Sequence, residues 1–157
     1  MNQAYLILGS NINPDENIPK ALNYLRDSFA LKQVSSTWRT RSIGIEAPDF
    51  YNTAAEIETG LDAYSLKEQC LCHIEEVMGR VRLPDKNAPR TIDIDIVIFN
   101  NEILDPTIFS MEHLALPLAD LLPLLPERDS ENTLREIASN FQAAGTAKNI
   151  GMILPGQ

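Results

Sequence analysis

The sequence predicts an α+β domain with helices packed on a mostly antiparallel sheet. Strand-length apolar or alternating runs interleave with segments of helical periodicity, and some strand segments follow one another with no helix between them. At 157 residues the chain is most simply one domain, 1–157, able to bury about two-thirds of its unfolded-chain surface without covalent staples.

The elements follow in order. "AYLILGSN", residues 4–11, is a continuous apolar run closed by Gly-Ser-Asn, the pattern of a fully buried strand ending in a tight turn. Ile18, Ala21, Leu22, Leu25 and Phe29 then mark one helical face, with Asp15 and Glu16 ahead of it and Pro19 placed in the first turn. Residues 33–40 and 52–59 read as strands joined by the turn-rich loop "RSIGIEAPDFY". Ser65 with Glu68 forms a capping box for a second helix, whose apolar face is Leu71, Ile74, Val77 and Met78 and whose end is Gly79. Residues 91–98 alternate, with Ile92, Ile94, Ile96 and Ile98 on a core face and Thr91, Asp93 and Asp95 on the other. "ILDPTIFSMEH" reads as a short connection and "LPLADLLPLLPE" as proline-broken turns. Leu134, Ile137, Ala138 and Phe141 form a third helical face, and the tail from Gly145 carries no pattern.

Composition excludes several classes. Cys70 and Cys72 lie two apart on a predicted helix, where their side chains diverge, so no disulfide is expected. No apolar run approaches a membrane span, and the start lacks a basic segment and cleavage site. The expectation is a soluble cytoplasmic protein without a membrane partner. A formal charge of −9 is the wrong sign for a nucleic-acid surface.

One segment departs from that acidity. "GRVRLPDKNAPR" places Arg80, Arg82, Lys86 and Arg90 within eleven positions, immediately before the strand that carries Asp93 and Asp95. Two carboxylates at i and i+2 of a strand stand about 6.5–7 Å apart along it, a spacing that suits a pair of divalent ions. Hard oxygen donors with no histidine or cysteine alongside favour Mg²⁺ over zinc. Strand acids beside loop arginines are also the electrostatic equipment of phosphoryl transfer. The residues alone leave two plainer readings open, a charged edge strand and carboxylates neutralised by their arginines. No Gly-rich Walker loop or kinase signature is present.

"EEVMGRVRLPDKNAPRTIDIDIVIFNN" resembles the signature of the 6-hydroxymethyl-7,8-dihydropterin pyrophosphokinases of folate biosynthesis. The likeness runs from "LILGSN" through "STWRTRSIG" and "APDFYNTAAEIETGL" to about residue 126. The resemblance implies a ferredoxin-like sheet and transfer of pyrophosphate from ATP to the hydroxymethyl oxygen, releasing AMP. It further implies that Asp93 and Asp95 hold two Mg²⁺ ions, and that Arg80, Arg82, Arg90 and His113 engage the ATP phosphates, with Glu75 near the nucleotide. Asn52 would read the polar edge of the pterin and Phe50 would stack on it, with Thr40, Ser42, Gly44 and Asp93 completing that site. An amide fits a fused pyrimidine edge because it offers both an acceptor and two donors. A His113 set among phosphates is expected to favour its protonated form.

The chain departs from the family pattern in three places. Asn87 and Ala88 stand where an aromatic residue and a glycine usually precede Pro-Arg, and Arg41-Ser42 replaces a proline-bearing pair. The chain also passes from His113 to Pro117-Leu118-Ala119-Asp120 almost at once, omitting a stretch that carries an ATP arginine and a second pterin-stacking phenylalanine in the family. Besides the pyrophosphokinase, the sequence admits a Mg-nucleotide-binding relative with another substrate and a non-catalytic binding protein on the same scaffold. Oligomeric state is left open.

Overall fold

A computed structural model describes residues 1–41, 48–81, 90–128 and 130–152. Its architecture is α+β. Among the described residues seven strands form a sheet in the order β6-β5-β1-β4-β3-β7, with β2 paired to β4, and every pairing is antiparallel. The strands are β1 (Asn2–Ser10), β2 (Ala30–Val34), β3 (Trp38–Thr40), β4 (Phe50–Thr59), β5 (Asp93–Phe99), β6 (Glu102–Ile103) and β7 (Lys148–Asn149).

Both faces of the sheet are covered, which is why central β1 is apolar without alternation. On one face Ala4, Leu6 and Leu8 pack with Ile18, Ala21, Leu22 and Leu25 of α1 (Pro14–Ser28) and with Leu71 and Ile74 of the second helical run. On the other, Tyr5 and Ile7 pack with Leu114, Ala115 and Leu118 of α4 (Glu112–Leu121) and Leu134 and Ile137 of α5 (Leu134–Ala144).

Several boundaries differ from the sequence reading. α1 starts at Pro14, which suits a first-turn position, so Pro19 lies inside the helix. The carbonyl that Pro19 leaves without a helical donor belongs to exposed Asp15, where water can serve it. The second helical run is capped by Asp62, whose carboxylate accepts from the Ser65 N–H at 2.7 Å, and not by Ser65 itself. That run comprises α2 (Ala63–Ser65), a π-helical segment Leu66–Leu71 and α3 (Cys72–Val77). Gly79 does end it, at φ +90°. Its N–H bonds to the Glu76 carbonyl and that of Arg80 to the Glu75 carbonyl, each at 3.0 Å, the paired bonds of a Schellman cap. Pro117 lies inside α4 and does not break the chain into turns, because Leu114, Ala115, Leu116 and Leu118 bury the helix around it.

β5 also breaks the expected alternation. Leu6 pairs with Ile96 and Tyr5 with Ile98, leaving Val97 as an extra residue, a β-bulge. Ile92, Ile94 and Ile96 share one core, as expected, but the bulge turns Ile98 with Val97 into the opposite core.

Candidate active site

The site lies on the α4–α5 side of the sheet, toward the end of β1. Register places Trp38 opposite Asn52, Asn52 opposite Gly9 and Gly9 opposite Asp93, so one row crosses four strands. By strand alternation Thr40, Phe50 and Asp95 share that face. The row therefore brings the expected pterin residues and the expected metal residues together across a glycine. A Cβ added at Gly9 would lie 2.9 Å from Asn52 Oδ1 and 4.0 Å from Phe50 Cδ1, so the missing side chain is what leaves room between Asn52 and Asp93. Asn52 is buried, and its amide donates to Thr40 Oγ1 at 3.4 Å.

Arginines occupy both oxygens of Asp93. Arg80 Nη1 donates to Oδ1 at 2.9 Å and Arg90 Nη1 to Oδ2 at 3.2 Å. Each guanidinium is held in place from behind. Arg80 leaves the Schellman cap and also donates to Glu75 Oε2 at 2.7 Å. The Arg90 backbone is clamped by Asn11, whose Oδ1 accepts from the Arg90 N–H at 2.6 Å while its own N–H donates to the Arg90 carbonyl at 3.1 Å.

Glu75 is only 1% exposed. Besides Arg80, it accepts from the backbone N–H of Ile94 at 2.8 Å, on the edge of β5 that β6 does not reach. Lys67, from the π-helical segment, covers the same edge. Its ammonium donates to the Ile94 carbonyl and to Asp95 Oδ1, at 3.2 Å from the latter, and lies 3.6 Å from Glu75 Oε2. π-Helical turns recur at functional sites because the extra residue redirects side chains.

These contacts split the two aspartates. Desolvation, the largest influence on each, acts to raise both. At Asp93 a hydrogen bond with Asp95 and the charges of Arg80, Arg90 and Lys67 outweigh it and hold the carboxyl below the usual carboxylate range. Asp95 is pushed up to about 6 by desolvation, then by the charge of Asp93 and their hydrogen bond, against the opposing pull of Lys67. Lys67 itself is held above the ordinary lysine value, because Asp95 and Glu75 outweigh its own desolvation.

His113 lies in the first turn of α4, within electrostatic reach of Asp93 and Arg90. Its imidazole is lowered by burial, the dominant cause, despite Glu112, Asp105 and Asp93. That direction belongs to the protein without phosphate, whereas the protonated form expected from sequence is that of an imidazole set among bound phosphates. Arg82, Lys86, Asn87, Ala88, Ser42 and Gly44 lie outside the described residues.

The donor set fits magnesium delivered with phosphate. Asp93 and Asp95 offer hard oxygens, and among the described residues no group of three or more His, Cys, Asp or Glu forms a ready-made metal cage. Cys70 and Cys72 carry no disulfide. Gly9 and Asn11 read from sequence as a strand-end turn, and no local pattern marks Lys67 as part of a site.

A family model described as 7,8-dihydro-6-hydroxymethylpterin-pyrophosphokinase matches residues 5–123. A Haemophilus influenzae protein named 2-amino-4-hydroxy-6-hydroxymethyldihydropteridine pyrophosphokinase is 36% identical over 117 residues, covering 72% of this chain and 72% of its own length. A Bacillus subtilis protein of the same name is 33% identical over 132 residues, covering 76% and 78%. The solved structure of wild-type Plasmodium falciparum HPPK-DHPS shares the fold, with a TM-score of 0.70 at 15% identity over 94% of this chain, which spans 44% of that longer one. The family model covers the row from Trp38 to Asp93, the arginines and His113, and the chain belongs to the 7,8-dihydro-6-hydroxymethylpterin-pyrophosphokinase family.

Proposed function

We propose that the chain transfers pyrophosphate from ATP to the hydroxymethyl oxygen of 6-hydroxymethyl-7,8-dihydropterin, a step of folate biosynthesis, and that the row around Gly9 is where it does so. The observation that carries this is the juxtaposition across Gly9. An amide suited to a pterin edge lies on one side, and a carboxylate gripped by two arginines lies on the other. In the reaction the hydroxymethyl oxygen forms a bond to the β-phosphorus, the bond between that phosphorus and the α,β-bridging oxygen breaks, and AMP departs.

The site residues take the roles that the family resemblance implies. Asn52 and Thr40, with Ser42 and Gly44, orient the pterin, and Phe50 supplies a stacking face. Asp93 and Asp95 hold two Mg²⁺ ions, which when bound draw charge from the transferred phosphates. Arg80, Arg82, Arg90 and His113 take phosphate oxygens. With their backbones fixed by Glu75 and Asn11, Arg80 and Arg90 exchange Asp93 for phosphate by side-chain rotation. Glu75 acts through Arg80 and the β5 edge. A reach of the whole domain over 1–157 belongs to the same proposal.

The test is AMP release from ATP and Mg²⁺, with and without the pterin, compared with Asp95→Asn. Pterin-dependent AMP release that Asp95→Asn abolishes is the expected result. Release that ignores the pterin would overturn the reading.

A further inference from the structure

Among the described residues the acids of the site are met by bases: Glu75, Asp93 and Asp95 face Lys67, Arg80 and Arg90. Two of the cations are the arginines already assigned to phosphate. Lys67 is the third, and no role in binding or transfer uses it. Its ammonium lies directly on Asp95 Oδ1 while it is anchored to the Ile94 carbonyl of the same strand, and its side chain is three-quarters buried. A surface lysine would gain little from such a pair. This one is delivered to it by the π-helical segment, which packs Leu66 and Leu71 into the core on either side.

We propose, building on the function above, that Lys67 is an in-built counter-cation. It occupies the Asp95 position of the metal pair in the nucleotide-free protein and yields it when nucleotide phosphates arrive. Asp93 is covered by guanidinium groups that leave for phosphate, and Asp95 by an ammonium that can do the same. A divalent ion that reaches Asp95 without polyphosphate therefore has to displace an ammonium first. This orders binding, so that metal enters with the nucleotide and free Mg²⁺ does not hold the two carboxylates in a premature arrangement. Lys67 is a positioning residue in this account, acting on Asp95.

The test is Mn²⁺ binding, followed by electron paramagnetic resonance, to wild type, Lys67→Met and Lys67→Arg. Each is titrated without nucleotide and with α,β-methylene-ATP, and melting in metal-free buffer verifies folding. Without nucleotide, Lys67→Met is expected to bind Mn²⁺ about tenfold or more tighter than wild type, because a unit charge facing the ion is gone. Lys67→Arg keeps the charge and stays close to wild type. Mn²⁺ is also expected to raise the melting temperature of nucleotide-free Lys67→Met more than that of wild type. A residue that merely braces the β5 edge gives a lower-melting Lys67→Met whose Mn²⁺ affinity is unchanged or weaker, and that result overturns the proposal. If wild type takes up no Mn²⁺ even with α,β-methylene-ATP, the functional reading itself fails and takes this one with it.

Discussion

Gly9→Ala separates fold from recognition. The position is not left-handed, so alanine strains no backbone there, and the whole effect comes from what the new methyl meets. It meets Asn52 Oδ1 at 2.9 Å, closer than Cβ atoms come in real structures, and the carbonyl must retreat by several tenths of an ångström. Asn52 can do this because its side-chain bond to Thr40 Oγ1 is already long at 3.4 Å. Overpacking of this kind costs about 1 kcal/mol when the neighbour is a movable side chain. For a chain of this length that lowers the melting temperature by about 2–4 °C. Binding suffers more, because the displaced amide loses its match to the pterin edge and the methyl fills the trough. Loss of one or two such hydrogen bonds at about 1–1.5 kcal/mol each weakens pterin affinity by about 10- to 100-fold. Isothermal titration with the pterin, steady-state KM for both substrates and a melting curve measure this. The expected result is a large rise in pterin KM, little change in ATP KM and a melting temperature lower by about 2–4 °C. A pterin affinity within twofold of wild type would refute the assignment of Asn52 and the trough.

Asp95→Asn is expected to abolish turnover yet stabilise the metal-free protein at neutral pH. The folded-state value of about 6 lies above the ordinary 3.8, so ionising Asp95 costs stability, with no cost below pH 3.8 and the full cost above pH 6. The shift taken whole is about 3 kcal/mol, but the side chain is 54% exposed, and screening reduces this to about 1 kcal/mol. Urea melts at pH 4 and pH 7 check the sign, the variant's advantage being expected only at the higher pH. Glu75→Ala strips the Ile94 N–H and Arg80 of a buried acceptor and should cost about 3 kcal/mol or more, read as a lower melting temperature together with a raised ATP KM. Gly79→Ala forces a left-handed φ of +90° on a residue with a Cβ and is expected to lose about 1–2 kcal/mol in a urea melt.

The parts legible in the sequence are those where a local pattern and the tertiary environment agree. The apolar run of β1, the faces of α1 and α5, the glycine that ends α3 and the alternation that separates Asp93 and Asp95 from the isoleucines are of this kind. The hidden features need a partner from elsewhere in the chain. Ser65 and Glu68 spell a capping box, but Asp62 offers an ionised acceptor three residues earlier and takes the Ser65 N–H. Glu75 looks like a solvated flank residue until the Schellman cap brings Arg80 back over it and the unpaired edge of β5 supplies Ile94. Pro117 reads as a breaker because its burial by Leu114 and Leu118 on the sheet is a tertiary fact. Asn11 meets Arg90 across 79 positions, a distance that no local pattern encodes.

The bulge at Val97 divides β5 into two stretches whose registers are set separately. Before it, the strand is aligned on β1 through Gly9 and Asp93. After it, alignment comes from Tyr5 and Ile98 and from the turn where Asn100 exchanges hydrogen bonds with Gln3. The spare carbonyl at the bulge is taken up by the N–H groups of Leu104 and Asp105, at 2.9 and 3.2 Å, so the discontinuity is sealed. A length change in the hairpin beyond Phe99 can thus be absorbed at a joint already built to hold one residue too many. The half of the strand that bears Asp93 and Asp95 is free to keep its carboxylates in place while the far end of the sheet drifts in sequence.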